Sequence, residues 1–126
     1  MRLNALAAGA AVATLALAAS PAPAQDFLSA PLLMGVYDCH DQTNTRRKEL
    51  MFALLDDSSY NDYLGVARGY TYDPSTGILE IGMETGGAAR YLRIYEHAFR
   101  GIDENGELLG FTCPLNTMLD PIHPRW

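Results

Sequence analysis

Short runs of alternating apolar and polar residues recur along the chain, separated by turn-forming residues. In residues 70–83 two such runs flank the segment Asp-Pro-Ser-Thr-Gly. Pro74 favours the first central position of a turn, and Gly77 can adopt the left-handed conformation that closes a bulged hairpin. Residues 70–83 are therefore predicted to form a β-hairpin.

Comparable runs at 33–40, 90–99 and 107–113 are bounded by the polar QTNT segment, a glycine-rich segment or Asp-Glu-Asn-Gly. Short strands with turns at such intervals are typical of antiparallel sandwiches and small barrels. We expect an all-β fold, a small antiparallel barrel or sandwich of lipocalin-like form with one disulfide and at most one short helix.

Residues 46–57, RRKELMFALLDD, fit either a helix or a strand. Their propensities favour a helix, but a helix would place its basic residues at the positive end and its acidic residues at the negative end of the dipole. A strand over about 49–55 has no such conflict and is preferred, with the helix left open.

The N-terminal segment has the features of a signal peptide. Arg2 precedes an apolar run at 6–19, and Ala22-Pro23-Ala24 offers the small-x-small pattern at which signal peptidases cut. The run is short for a membrane span. We expect residues 1–24 to be removed before Gln25, leaving a single domain, 25–126, exported to a bacterial periplasm or outside the cell.

Charge argues against nucleic acid as a partner. Removal of residues 1–24 leaves eight basic and fifteen acidic residues, a net charge of −7. Such a chain repels phosphate backbones and anionic lipid head groups, and the only basic cluster, at 46–48, is too short to form a binding stripe. A protein partner remains compatible, and the oligomeric state stays open.

The two cysteines are expected to form a disulfide. In an exported chain, Cys39 and Cys113 most simply pair with each other, fastening an early strand to a late one. A catalytic Cys39–His40 pair is the alternative. Neighbouring side chains on a strand point to opposite faces, so His40 could not readily reach the Cys39 sulfur.

Asp38 and His40 share one face of the predicted strand. With His97 or His123 from elsewhere they could hold zinc or copper, although a solvated strand end explains the pattern equally simply. The prediction is no metal and no cofactor. The sequence contains no GxSxG, HExxH or phosphate-binding glycine loop. Only a cleft pairing Glu80 or Glu96 with a second carboxylate would suit catalysis, so no enzyme is expected.

Tyrosine is the most prominent aromatic residue, with seven in the chain. Tyr37, Tyr70 and Tyr72 are expected to pack within the sheet, where flat amphipathic rings fit well. Tyr60 and Tyr63, in SSYNDYLG, are predicted to be exposed. Together with a second candidate loop, ETGGAARY at 84–91, they give the predicted protein-binding residues: Tyr60, Tyr63, Arg90 and Tyr91.

Three short motifs resemble the periplasmic and membrane-bound inhibitors of c-type lysozyme. Tyr37-Asp38-Cys39 matches their opening, Cys113 their late cysteine, and residues 86–91 their Ser-Gly-x-x-Tyr inhibitory loop. Gly87 and Ala88 replace the serine and glycine, which leaves Tyr91 in register. The resemblance implies a small antiparallel fold and a lysozyme-binding loop that carries Tyr91.

The sequence thus predicts a small exported, non-enzymatic binding or interaction module of unknown ligand. Two more specific alternatives remain: an inhibitor-like protein for c-type lysozyme, and a metal or small-ligand binder that uses Asp38 and His40.

Overall fold

The computed structural model describes residues 27–82 and 88–122, and within them the chain forms nine β-strands. The predicted signal peptide and residues 84–87 of the ETGGAARY segment lie outside the described residues. The strands are β1 (Gly35–Tyr37), β2 (His40–Asp41), β3 (Phe52–Leu54), β4 (Ser59–Asp62), β5 (Ala67–Asp73), β6 (Ile78–Gly82), β7 (Ala88–Tyr95), β8 (Ala98–Ile102) and β9 (Leu108–Asn116).

The strands form a closed antiparallel barrel. From β3 to β9 each strand pairs with the next along the chain, β3 also pairs with β1, and β9 pairs back onto β1. The short β2 continues the path of β1 along the first half of β9. Eight strands therefore close the barrel. The predicted all-β class is confirmed, and the structure is the barrel rather than the sandwich.

The predicted disulfide is present and lies where the barrel closes. Cys39 and Cys113 are fully buried, their Cα atoms are 3.9 Å apart, and they are separated by 74 positions along the chain. Cys39 lies between β1 and β2, and Cys113 lies on β9. The bond thus joins the first stretch of the barrel to its last strand.

The predicted hairpin is β5–β6. Tyr70 pairs with Ile81 and Asp73 with Ile78, and Gly77 has the left-handed backbone conformation, with φ of +78°. The Gly77 amide donates to the Asp73 carbonyl at 2.8 Å. The local turn chemistry therefore determined this part of the fold.

Residues 46–57 combine a turn and a strand. Residues Lys48–Leu50 form one turn of 3₁₀ helix, and the strand is the shorter Phe52–Leu54. Met51 to Leu54 are all buried, whereas Lys48 and Glu49 are exposed, so burial sets the boundary between the two. Within the described part of the chain, no helix has the length and apolarity needed to cross a bilayer.

Aromatic rings fill the middle of the barrel. Tyr37 stacks on Phe52 with ring centroids 5.1 Å apart, and Phe52 contacts Tyr91 at 4.7 Å and Phe99 at 5.9 Å. Such pairs stabilise a core beyond the area that they bury. Four strands, β1, β3, β7 and β8, are joined by these contacts at the centre.

The barrel has two different ends. One end, termed the closed end, carries the turns at 55–58, 74–77 and 96–97 and is covered by residues 27–34. The other, termed the open end, carries the 3₁₀ turn and the turns at 63–66 and 103–107. The two ends therefore differ in how far the barrel interior is covered.

Arg93 fastens the N-terminal segment to the closed end. Its buried guanidinium donates to the backbone carbonyls of Ala30 at 2.8 Å, Pro31 at 3.1 Å and Glu96 at 2.8 Å. It also lies 5.7 Å from the centroid of the Tyr72 ring, whose hydroxyl donates to the Leu28 carbonyl. Hydrogen bonds to several carbonyl dipoles compensate for removing this charge from water.

Loss of the disulfide should cost a large part of the stability. Replacing both cysteines, Cys39→Ser with Cys113→Ser, should lower the free energy of unfolding by about 4.5 kcal/mol in the chain-entropy model. Equilibrium urea unfolding of the wild-type and variant proteins measures the difference. In the native wild-type protein neither residue should react with a thiol label, and labelling of both would contradict the structure.

Candidate functional site

Asp38 is the centre of a polar cluster beside the disulfide. Its Oδ1 accepts a hydrogen bond from Arg46 Nε at 3.0 Å and lies 3.3 Å from His40 Nε2, and its Oδ2 accepts from Asn116 Nδ2 at 3.0 Å. Burial opposes its ionised form. The hydrogen bonds from Asn116 and Arg46, with the charge of Arg46, outweigh burial and hold the Asp38 pKa below its usual value.

The structure brings together Asp38 and His40, two of the four residues considered for a metal. His97 is exposed in the turn between β7 and β8, and among residues 27–82 and 88–122 no group of three or more His, Cys, Asp or Glu side chains is placed to hold a metal ion. His123 lies outside those ranges. Because both Asp38 oxygens already accept hydrogen bonds, the cluster fastens the 38–46 segment to the end of β9.

Tyr60 is buried, so the prediction that it is exposed is wrong, and Tyr91, expected on a binding loop, is buried in a strand. Each is only 2% exposed, and each points inward from a strand, β4 or β7. The Tyr60 hydroxyl donates to the Gly82 carbonyl and the Tyr91 hydroxyl to the Leu50 carbonyl. Burial raises the pKa of both hydroxyls. Tyr60 belongs to the strand that begins at Ser59 and not to a loop, and this strand directs its side chain into the core.

Three of the four predicted binding residues nevertheless line one cavity at the open end. Tyr60, Tyr63 and Tyr91 form part of the wall of a partly open space of about 230 Å³. The wall is mostly apolar and is completed by Glu49, Leu50, Met51, Asp62, Leu64, Arg68, Ile81, Gly82 and Ala89. Tyr63 is half-buried and packs against the core, so it is less exposed than predicted, and the other two tyrosines are wall residues of the cavity.

The turn beside this cavity is held in shape by Asp62. Its Oδ1 accepts hydrogen bonds from the amides of Leu64 at 2.9 Å and Val66 at 3.0 Å. Between them Gly65 has a φ of +82°, which glycine adopts without strain. The turn therefore presents two apolar side chains to solvent, with Leu64 56% and Val66 42% exposed.

Arg90 lies on the outer side of β7, away from this cavity. Its Nη1 donates to the Glu104 carbonyl at 3.2 Å, and its Nε lies 3.6 Å from Glu80 Oε2. Glu80 is thus half of a cross-strand ion pair, and Glu96 lies in the exposed turn before β8. The two glutamates considered for catalysis are placed in separate parts of the barrel.

Sequence reasoning missed the apolar part of the cavity, above all Leu50 and Leu64. The sequence held one signal for Leu64, because it is an apolar residue inside the polar turn segment Asn-Asp-Tyr-Leu-Gly. Leu50 carried no such signal. Its role depends on the 3₁₀ turn that places its carbonyl against the Tyr91 hydroxyl at 3.0 Å.

The chain matches no described protein family, no curated protein and no solved structure. The resemblance to the lysozyme inhibitors therefore stays a prediction.

Neutralising Asp38 should destabilise the protein in a pH-dependent way. Asp38→Asn should lower the free energy of unfolding at pH 7 by about 1–3 kcal/mol. The substitution removes the charged oxygens that accept hydrogen bonds from Arg46 and Asn116. Since the folded-state pKa of Asp38 is lowered, its contribution is present above the unfolded-state pKa and is lost as pH falls through the folded-state pKa.

Urea unfolding at pH 7 and near pH 3 tests this directly. The difference between the wild type and Asp38→Asn should shrink at the lower pH, whereas the exposed control Glu107→Gln should change little at either. An equal difference at both pH values would show that the carboxylate charge is not what stabilises the cluster.

Proposed function

We propose that the protein is a small exported, non-enzymatic binding module that recognises a protein partner with the open end of its barrel. The observation that carries the proposal is the cavity lined by Tyr60, Tyr63 and Tyr91 beside the exposed residues Leu64 and Val66. A concave, mostly apolar site with a few polar groups is the usual form of a ligand pocket.

The two ends of the barrel differ in a way that favours the open end. Residues 27–34 cover the closed end through their carbonyl bonds with Arg93 and Tyr72. At the open end the 3₁₀ turn covers only part of the interior and leaves the tyrosine cavity accessible. A partner can therefore enter the outer part of this cavity, where Tyr63 and Leu64 are the more accessible wall residues.

The exposed residues beside the cavity, Leu64 and Val66, have features of a protein interface. Aromatic residues are enriched where proteins bind each other, and energetic hot spots lie in pockets ringed by contacts that exclude water. The cavity supplies the pocket, and Leu64 and Val66 supply exposed apolar contacts next to it. Because Asp62 fixes the turn that carries them, little conformational entropy is lost on binding.

Inhibition of a c-type lysozyme is the more specific candidate. The resemblance rests on Tyr37-Asp38-Cys39 and Cys113, and it implied a small antiparallel fold. That expectation agrees with the disulfide-fastened barrel. Tyr91, the residue in register with the inhibitory loop, forms part of the cavity wall. In this form of the proposal the open end binds the lysozyme.

Photo-crosslinking at the turn tests the general proposal. A benzophenone amino acid at position 64 should capture a partner from a periplasmic extract, whereas the same group at position 118 should not. Met118 is the matched control because it is 89% exposed and lies beyond β9, away from the open end. Capture at both positions, or at neither, would contradict recognition through the open end.

The captured partner, once purified, should bind the wild-type protein and should bind Leu64→Ser about tenfold more weakly, since a rim contact is lost. Met118→Ser should retain full affinity. Equal binding by the wild type and Leu64→Ser would remove the turn from the interface.

A lysis assay tests the specific candidate. The purified protein at micromolar concentration should slow cell-wall lysis by a c-type lysozyme, and Leu64→Ser should slow it less. If the wild-type protein leaves the rate unchanged, the inhibitor hypothesis is wrong while recognition of another partner at the open end still stands.

A further inference from the structure

We infer that the open-end cavity receives a single aromatic side chain of a protein partner, flanked by a lysine or arginine. This inference rests on the proposed function and names the chemistry of the group that binds. It follows from the size of the cavity, the hydrogen-bonding state of its tyrosines and the charge around it.

Size limits the occupant to one ring system. The cavity measures about 230 Å³, and an apolar protein cavity of about 150 Å³ already takes a benzene ring. A phenyl or indole side chain therefore fits, whereas a lipid chain or a whole strand does not. The rings of Tyr60, Tyr63 and Tyr91 in the wall allow the edge-to-face and offset contacts that aromatic pairs prefer.

The hydroxyl groups in the wall favour a donor on the ligand. The protons of Tyr60 and Tyr91 are committed to the carbonyls of Gly82 and Leu50, and all four residues line the cavity. Tyrosine is neutral near pH 7, and burial raises the pKa of both hydroxyls further. Their oxygens can still accept hydrogen bonds, so a group that donates, such as an indole N–H or an ammonium, complements the wall better than a carboxylate does.

The charge around the cavity also favours a cation on the partner. The wall of the cavity carries two carboxylates, Glu49 and Asp62, against one cation, Arg68. Arg68 is partly matched by Asp62, at 3.5 Å from Nε to Oδ2, and Arg47 by Glu49, at 2.6 Å from Nη2 to Oε2. With a net charge of −6 on the whole chain, a cation beside the cavity is attracted and an anion repelled. Tyrosine faces also attract cations.

Blocked tetrapeptides provide the test. Acetyl-Gly-Trp-Lys-Gly-amide should bind the purified full chain, as measured by isothermal titration calorimetry at low ionic strength. Replacing its Trp with Ala should weaken binding about thirtyfold, because the ring fills the cavity. Replacing its Lys with Glu should weaken binding about fivefold, as expected for an exposed charge.

Variants of the protein locate the site. Tyr63→Ala should weaken binding of the Trp-Lys peptide about tenfold, since part of the cavity wall is lost. Tyr95→Ala should have no effect, because Tyr95 is 63% exposed at the end of β7 that lies at the closed end. Glu49→Gln should reduce the preference for Lys over Glu in the peptide. The matched control Glu107→Gln, outside the cavity wall, should preserve that preference.

Each remaining outcome is decisive. No binding by the Trp-Lys peptide, equal binding of the Lys and Glu peptides, or an equal effect of Tyr95→Ala and Tyr63→Ala would overturn the inference. Free tryptamine binding as tightly as the peptide would make the cavity a small-molecule site and would overturn the choice of a protein side chain. None of these results affects crosslinking at position 64, which alone decides whether the open end binds a partner.

Discussion

The pairing of β9 with β1, fastened by the Cys39–Cys113 disulfide, is the constraint on which the rest of the molecule depends. It turns a row of hairpins into a closed barrel and leaves neither terminal strand with an unpaired edge. It also encloses the aromatic cluster, because Tyr37 on β1 stacks on Phe52 and meets Phe99 on β8 edge-on. Closure and core therefore stabilise each other.

Closure also shapes the two ends. The chain leaves β2, and with it the pairing to β9, at Asp41. It then turns back through the 3₁₀ segment Lys48–Leu50 and enters β3, so the Leu50 carbonyl accepts a hydrogen bond from the Tyr91 hydroxyl. Asp38 supports this excursion by binding Arg46 from one oxygen and Asn116 from the other. At the opposite end Arg93 holds residues 27–34 against the barrel. The cavity at the open end is the part of the barrel interior that neither the 3₁₀ segment nor residues 27–34 cover.

Prediction from sequence succeeded where local chemistry decides. The β5–β6 hairpin follows from Pro74 and Gly77, and the disulfide from the presence of just two cysteines in the chain. It failed for Tyr60 and Tyr91, because burial of a tyrosine depends on which strand lies opposite it. For Asp38 and His40, strand alternation gave their shared face. The partners Arg46 and Asn116 are 8 and 78 positions from Asp38, and only the fold brings them to it.

The sequence by itself determined the β-rich class, the turns and the covalent link, because alternation, glycine and proline conformations and cysteine pairing act over short distances or by elimination. The tertiary structure decided that the sheet closes on itself, which tyrosines line a cavity and which polar groups meet. Those properties arise from side chains that are distant in the chain, such as Tyr60 with Gly82 or Tyr91 with Leu50, and they exist only once the barrel has closed.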